Sequence, residues 1–238
     1  MFAKKTTIVT GAQQGIGAGL VEGFLKSGYN VVATSLDASK TLAATADLAV
    51  VNGDIRDPET ASKSVKEAIT HFGSIDVLVN NAGIYLTKPF TEFTTEDFNT
   101  VVSVNLLGFL QMTQLAVNQM LKQGSGCVIT ISAALADNPI AGVNASVPMI
   151  TKGGLNTVTR HLAIEYAKQS IRFNAVAPSV VDTPLHQENP KDHLSSLQPM
   201  GSIAQISDIV DAVLYLANAR QVTGEVLHVD GGAHSGRW

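Results

Sequence analysis

The sequence predicts a single-domain α/β protein, a doubly wound parallel sheet of about seven strands with helices on both faces, on three observations. Short β-branched runs alternate along the chain with longer segments of helical period. The runs are apolar without strict alternation, which suits strands buried on both faces. The 238 residues contain no Pro-, Gly- and Ser-rich linker, internal repeat or low-complexity tract, which leaves one domain, 1–238, large enough for a full core.

The elements follow in order. TTIVTG, Thr6 to Gly11, is the first strand, and the helical pattern after it covers Gly17–Ser27. NVVATS and LAVVNGDI supply two more strands before the helical segment Pro58–Phe72. IDVLVNNAG leads into Glu96–Lys122, and GCVITIS into Lys152–Lys168. IRFNAVAP, the segment Ile206–Asn218 and GEVLHVDGG complete the series. Strands linked by helices in this way wind right-handed into a parallel sheet. The irregular stretch PSVVDTPLHQENPKDHLSSLQPMGS, 178–202, is longer than a connection in a compact domain should be. Such stretches are lids or disordered loops, and its place after a strand's carboxyl end favours a lid over a substrate crevice.

Bulk properties exclude several partners. The 16 basic residues stand against 20 acidic ones for a net charge of -4, and no run of Lys or Arg forms a footprint for nucleic acid or anionic lipid. The single cysteine, Cys127, lies in the apolar run GCVITIS and reads as a small buried hydrophobe in a reducing compartment. The beginning, MFAKKTTIVTG, passes from two lysines into a strand-like run without the apolar region of a secretory signal. No apolar stretch is seen that approaches the roughly 20 residues of a membrane span. A soluble, cytoplasmic protein is therefore expected. His71, His193, His228 and His234 lack metal-ligand spacing, so no metal is expected, and His161 reads as helix surface or interface.

Chemistry enters at TGAQQGIG, Thr10 to Gly17, between the first strand and a helix. Gly11, Gly15 and Gly17 suit a tight turn, backbone approach to a pyrophosphate and close helix packing, with the phosphates at the positive helix N-terminus. Gln14 and Ile16 lie between those glycines. A Gly-rich turn also serves any tight strand-to-helix connection, but the flanking strand and helix favour a dinucleotide.

This spacing is wider than GxGxxG. Together with NNAG (Asn80–Gly83), NLLG (Asn105–Gly108), TKGGL (Thr151–Leu155), NAVAPSVVDTPL and VDGG (Val229–Gly232), in that order, it resembles the short-chain dehydrogenase/reductase family over nearly the whole chain. The resemblance implies a Rossmann-type fold and NAD(P)(H) as cofactor. It implies that Asp54 and Ile55 contact the adenine ring, although Asp54 also suits a strand-ending turn. It implies that Asn81, Ala82 and Gly83 stabilise the central strand and touch the cofactor, and that Pro178, Val181 and Thr183 hold the nicotinamide half. Ser179 stands where the family commonly has Gly.

NAD against NADP is a question of charge at the end of the second strand, where a carboxylate accepts from a free ribose hydroxyl and a cation suits a 2′-phosphate. Ser35 stands where an NAD-type acid would be, Leu36 where an NADP-type Arg often is, and Gln14 replaces another common Arg. Asp37 either accepts from the ribose or faces water. With no cation in view, NAD is favoured.

The family's reaction uses a Tyr as general acid/base with a Lys at the fourth position after it, helped by a Ser and an Asn. Lys152 matches the Lys, Ser132 and Asn105 the other two, and the Tyr position holds Pro148, which has no proton to give. The tyrosines are Tyr29, Tyr85, Tyr166 and Tyr215, so no shift of register between Tyr85 and Tyr166 supplies one. Ser132 reads equally as a substrate hydrogen-bond donor and as a strand-end Ser satisfied by backbone. Asn105 reads as the organiser of a water near Lys152. Tyr85 beside NNAG, His186 in the lid segment and Lys152 acting through water are the candidate substitute donors, and Met149 reads as filling the phenol's volume. Losing a general acid costs roughly 10²–10⁴ in rate, about 3–5 kcal/mol. Proximity is worth about 7–11 kcal/mol, so hydride transfer survives the loss on this arithmetic.

The leading expectation is an NAD(P)-dependent oxidoreductase acting on a small carbonyl or alcohol with a non-standard proton donor. The alternatives are a dinucleotide-binding sensor or scaffold without turnover, and elimination or isomerisation on the same scaffold. The family's habit and the terminal Trp238 suggest a homo-oligomer, a tetramer.

Overall fold

A computed structural model describes residues 4–236, so Trp238, on which the assembly expectation partly rests, lies outside the described residues. The strands are β1 (Thr6–Thr10), β2 (Asn30–Ser35), β3 (Leu48–Asn52), β4 (Val77–Asn80), β5 (Gly126–Ile131), β6 (Ile171–Pro178) and β7 (Val226–Val229). The helices are α1 (Gly15–Lys26), α2 (Pro58–Glu67), α3 (Thr95–Val102), α4 (Gly108–Gln123), α5 (Ser146–Glu165), α6 (Lys191–Ser196) and α7 (Ile206–Asn218). The seven strands form one sheet in the order β3-β2-β1-β4-β5-β6-β7, and every pairing is parallel.

β1 shows why these residues give this sheet. All five of its residues are buried. Successive side chains point to opposite faces, so Val9 and Ile8 serve different cores. Val9 packs with Leu20 and Phe24 of α1 and with Ile209 and Val213 of α7. Ile8 belongs with Ala61 of α2, Met112 and Met120 of α4, and Ala163 of α5. Helices cover both faces, and the short apolar runs of the sequence are the consequence.

Two helices depart from expectation. α3 and α4 join through a π-helical turn, Ser103–Leu107, into one run, Thr95–Gln123, long and apolar enough by length and composition to cross a membrane. The sequence reading saw no such stretch. Met112, Ala116 and Met120 of this run are nevertheless buried against the sheet. α5 starts at Ser146 rather than Lys152, because Pro148 masks its first turn. The first helical N–H groups have no intrahelical acceptor, so a proline there loses nothing. The ladder begins one residue later, with Met149 N donating to the Ala145 carbonyl at 3.0 Å.

From β1 the chain builds outward to β2 and β3, then returns to β4 on the other side of β1. Loops leaving the carboxyl ends diverge at that reversal and open a crevice, the position that binds ligands in open α/β sheets. Segment 178–202 stands over it and is partly helical, with a short 3-10 turn, Pro184–His186, and α6, whose Leu194 is buried.

Candidate active site

The crevice is one cleft of about 800 Å³, within the range of small-molecule and cofactor sites. Its wall contains every residue that the motifs nominated for the cofactor: Gly11, Gln14, Gly15, Ile16 and Gly17; Ser35 and Asp37; Asp54 and Ile55; Asn81, Ala82 and Gly83; Lys152; Pro178, Val181 and Thr183. Ser132, Tyr85 and His186 line it too. Asn105 does not; it lies behind the wall, in a small hollow shared with Lys152.

The glycine turn is shaped by what it excludes. Gly11 and Gly15 have φ of +65° and +55°, where L side chains are strained. A Cβ on Gly17 would stand 2.0 Å from the Gly11 carbonyl oxygen, and one on Gly11 would stand 2.9 Å from Ala82 Cα. The turn is braced from β4: Asn81 Nδ2 donates to the Thr10 and Gly11 carbonyls at 2.9 and 3.1 Å, and Thr10 Oγ1 accepts from Asn81 N and Ala82 N, both at 3.0 Å. The Asn81 carboxamide thus holds the turn as well as facing the cleft. No side chain caps α1, so its positive end is open to an anion. A dinucleotide's pyrophosphate fits this cradle.

At the adenosine end, β2 finishes at Ser35 and β3 at Asn52, paired in register. Ile55 closes the wall against α4, where a Cβ on Gly108 would lie 2.8 Å from its Cγ1. The sequence reading found no cation here, and that needs correcting. Arg56 lines the cleft, with Nη2 donating to Asp54 Oδ2 at 2.6 Å and Nε to both carboxylate oxygens at 3.0 Å. Those bonds hold the Asp54 carboxyl below its ordinary range. Lys40 pairs with Asp37 at 2.8 Å. Arg56 follows Ile55 directly in GDIRD and was within reach of the sequence.

At the reaction end, Lys152 borders the cleft while its ammonium is enclosed, donating to the Ile131 carbonyl at 2.7 Å. Desolvation brings it down to about 8. Ser132 Oγ donates to the Lys152 carbonyl at 3.3 Å, the backbone-satisfied reading of that residue. Asn105, expected to organise a water, spends its carboxamide on protein: Oδ1 accepts from Ile84 N at 2.9 Å, and Nδ2 donates to the Ile84 carbonyl at 3.1 Å and to Thr151 Oγ1 at 3.0 Å. Thr151 Oγ1 donates on to the Pro148 carbonyl at 2.7 Å. Pro148 is buried and Met149 faces the cleft in its stead. His186 is half-buried; desolvation pulls its imidazole below the ordinary range, and a bond to Asn189 opposes the shift.

Segment 178–202 is tied across its two ends. Ser179 Oγ, at the position where the family commonly has glycine, accepts from Gln198 Nε2 at 2.7 Å, and Gln198 is buried. A second feature lies behind β6 and escaped the sequence reading: His228 and His234 stack at 4.1 Å between Asp137, 3.4 Å from His228, and Asp230, 2.9 Å from His234. Asp137 comes from a distant stretch of sequence, whereas the other three lie within 228–234.

The family model described as enoyl-(acyl carrier protein) reductase matches residues 11–234. L-xylulose reductase of Mesocricetus auratus is 34% identical, with 97% of each chain covered. A granaticin polyketide synthase putative ketoacyl reductase of Streptomyces violaceoruber is 33% identical, with 95% of each covered. Among solved structures, 3-ketoacyl-(acyl-carrier-protein) reductase from Brucella melitensis complexed with NADH superposes with TM-score 0.91 at 29% identity, covering 98% of this chain and 100% of that one. ElxO with NADP bound gives TM-score 0.91 at 30% identity with the same coverage.

Proposed function

The chain belongs to the short-chain dehydrogenase/reductase family of NAD(P)-dependent oxidoreductases, and from that premise we propose that it interconverts a small carbonyl and its alcohol, with a proton donor other than residue 148. The carrying observation is convergence: the glycine turn and Lys152, whose ammonium is enclosed, line one cleft. When bound, the nicotinamide supplies or accepts the hydride. The chain's own work is to grip the pyrophosphate at the open end of α1, hold the ribose near Lys152, and keep the reacting carbonyl away from water beneath 178–202, which serves as the substrate lid.

The finer assignments rest on named groups. NAD is preferred because Asp37 would repel a 2′-phosphate and Arg56 is committed to Asp54. Assembly into a homotetramer is supported by exposed apolar side chains on neighbouring helices, Leu110 and Leu121 on α4 and Ile150 and Ile164 on α5. A cytoplasmic setting is supported by the free, buried Cys127 thiol, pushed up to about 11 by burial. Pro148 alone favours a second reading, a dinucleotide-bound sensor without turnover.

Fluorescence titration with NADH and NADPH, followed by turnover with a panel of small ketones, aldehydes and alcohols, decides between them. Binding with turnover that Lys152→Ala abolishes is expected. Binding without turnover establishes the sensor, and absence of binding ends both readings.

A further inference from the structure

Of the four tyrosines, three are placed elsewhere. Tyr29 is buried against Phe24 and donates to Asn218 Oδ1 at 3.1 Å. Tyr166 packs on Phe173, and Tyr215 is exposed on α7. Tyr85 alone of the four lines the cleft. Among the described residues its hydroxyl makes no hydrogen bond, so the proton is uncommitted.

The backbone carrying Tyr85 is pinned beside the place where helix α5 presents a proline. Asn105 clamps both polar groups of the adjacent Ile84, at 2.9 and 3.1 Å, and bonds Thr151 Oγ1, which donates to the Pro148 carbonyl. Farther along the same loop, Lys88 N donates to the Asn144 carbonyl at 3.0 Å, just before α5 begins. On the other side, a Cβ on Gly83 would lie 3.4 Å from Lys152 Nζ. Gly83 precedes Tyr85 by two residues, a span of roughly 7 Å at most, and Tyr85 and Lys152 line the same cleft.

We propose that Tyr85 is the proton donor of this site, its phenol delivered to the reacting oxygen from the loop after β4 instead of from helix α5. The assignment rests on the oxidoreductase reading above and deepens it. In the reducing direction the Tyr85 O–H bond breaks as the substrate's new O–H bond forms. The O–H electron pair stays on the phenolate, which regains a proton from water through the open cleft, while the reduced dinucleotide provides the two electrons. Burial raises the Tyr85 phenol above its ordinary range and so keeps it in the donor form at neutral pH.

The test has two arms. With whichever dinucleotide binds, Tyr85→Phe lowers kcat for carbonyl reduction by roughly 10²–10⁴ while KM moves only severalfold. Tyr215→Phe leaves both unchanged. In protein labelled with 3-fluorotyrosine, the fluorine signal lost in Tyr85→Phe shifts when saturating oxidised dinucleotide is added, and the alkaline limb of the kcat profile moves to lower pH, because fluorine makes the phenol more acidic. A role in packing alone leaves the alkaline limb where it was. The assignment is overturned if Tyr85→Phe retains kcat within threefold, if His186→Gln carries the loss instead, or if the Tyr85 fluorine signal ignores the dinucleotide. Those results leave the oxidoreductase reading intact. Failure of the unsubstituted protein to bind either dinucleotide overturns both.

Discussion

The two ends of the cleft are made from different parts of the polypeptide. At the dinucleotide end the wall is backbone, and the glycine turn is so tight that a single methyl group on Gly17 would overlap the Gly11 carbonyl. At the reaction end the wall is held by side chains: Asn105 and Thr151 behind it and Lys152 at its border spend their polar atoms holding a loop, a helix start and a strand end together. A backbone cradle admits few sequences. A side-chain constellation tolerates replacement at one position when another element supplies the same chemistry; here a proline stands at 148, and the phenol that lines the cleft comes from residue 85.

The largest break in that contrast is expected from Gly17→Val. With no room at 2.0 Å for even a Cβ, the turn must open, and affinity for NADH or NADPH falls by a hundredfold or more, about 3 kcal/mol. Fluorescence titration reads this directly, and retained affinity would show that the turn has slack.

Lys152→Met sharpens the contrast from the other end, through stability. Lys152 titrates at about 8 in the fold against an ordinary 10.5, so between those values the folded state binds fewer protons than the unfolded. Its burial penalty is therefore full below about pH 8 and fades as pH rises toward 10.5. The penalty is at most about 3 kcal/mol, and the lost bond to Ile131 offsets about 1 of it. The variant should melt about 4–8 °C higher at pH 7, with the gain shrinking by pH 10. A gain equal at both pH values would mean that the ammonium is not the cause.

Gln198→Leu removes the bond that ties the rear of the lid to Ser179, about 1 kcal/mol. The expected result is faster amide exchange across 184–197 and a severalfold higher KM with little change in kcat. Unchanged exchange would show that Leu194 anchors the segment by itself.

Arg56→Gln should do least. Solvent screens its exposed pair with Asp54, so NADH affinity should change less than about fivefold. Selective loss of NADPH binding by a hundredfold would reverse the preference argued above and identify Arg56 as the phosphate ligand.

Much of this was legible in the sequence. The seven β-branched runs are the seven strands, because burial on both faces leaves each strand continuously apolar. The glycine turn was nameable because its geometry is local, a strand, a turn and a helix within one short stretch, whereas Asp54, Ile55, Asn81 and Thr183 came from the family resemblance. α5 was less legible, since a proline in a helix's first turn resembles a stop when it is a permitted start. Ser132, Asn105 and Asn81 carried the right chemistry for a site, but their bonds run to backbone on other elements, which no spacing along the chain encodes. In the cluster of His228, Asp230 and His234, only the approach of Asp137 lies outside local pattern.

By itself, then, the sequence determined the sheet, the phosphate turn and the absence of a phenol at 148, because each depends on neighbours along the chain. The tertiary structure decided that Tyr85, Lys152 and Arg56 line one cleft, and that Ser179 and Gln198 tie the two ends of segment 178–202 together. Those contacts follow from which strands adjoin, a choice made by how two helical layers bury a common sheet rather than by any one segment.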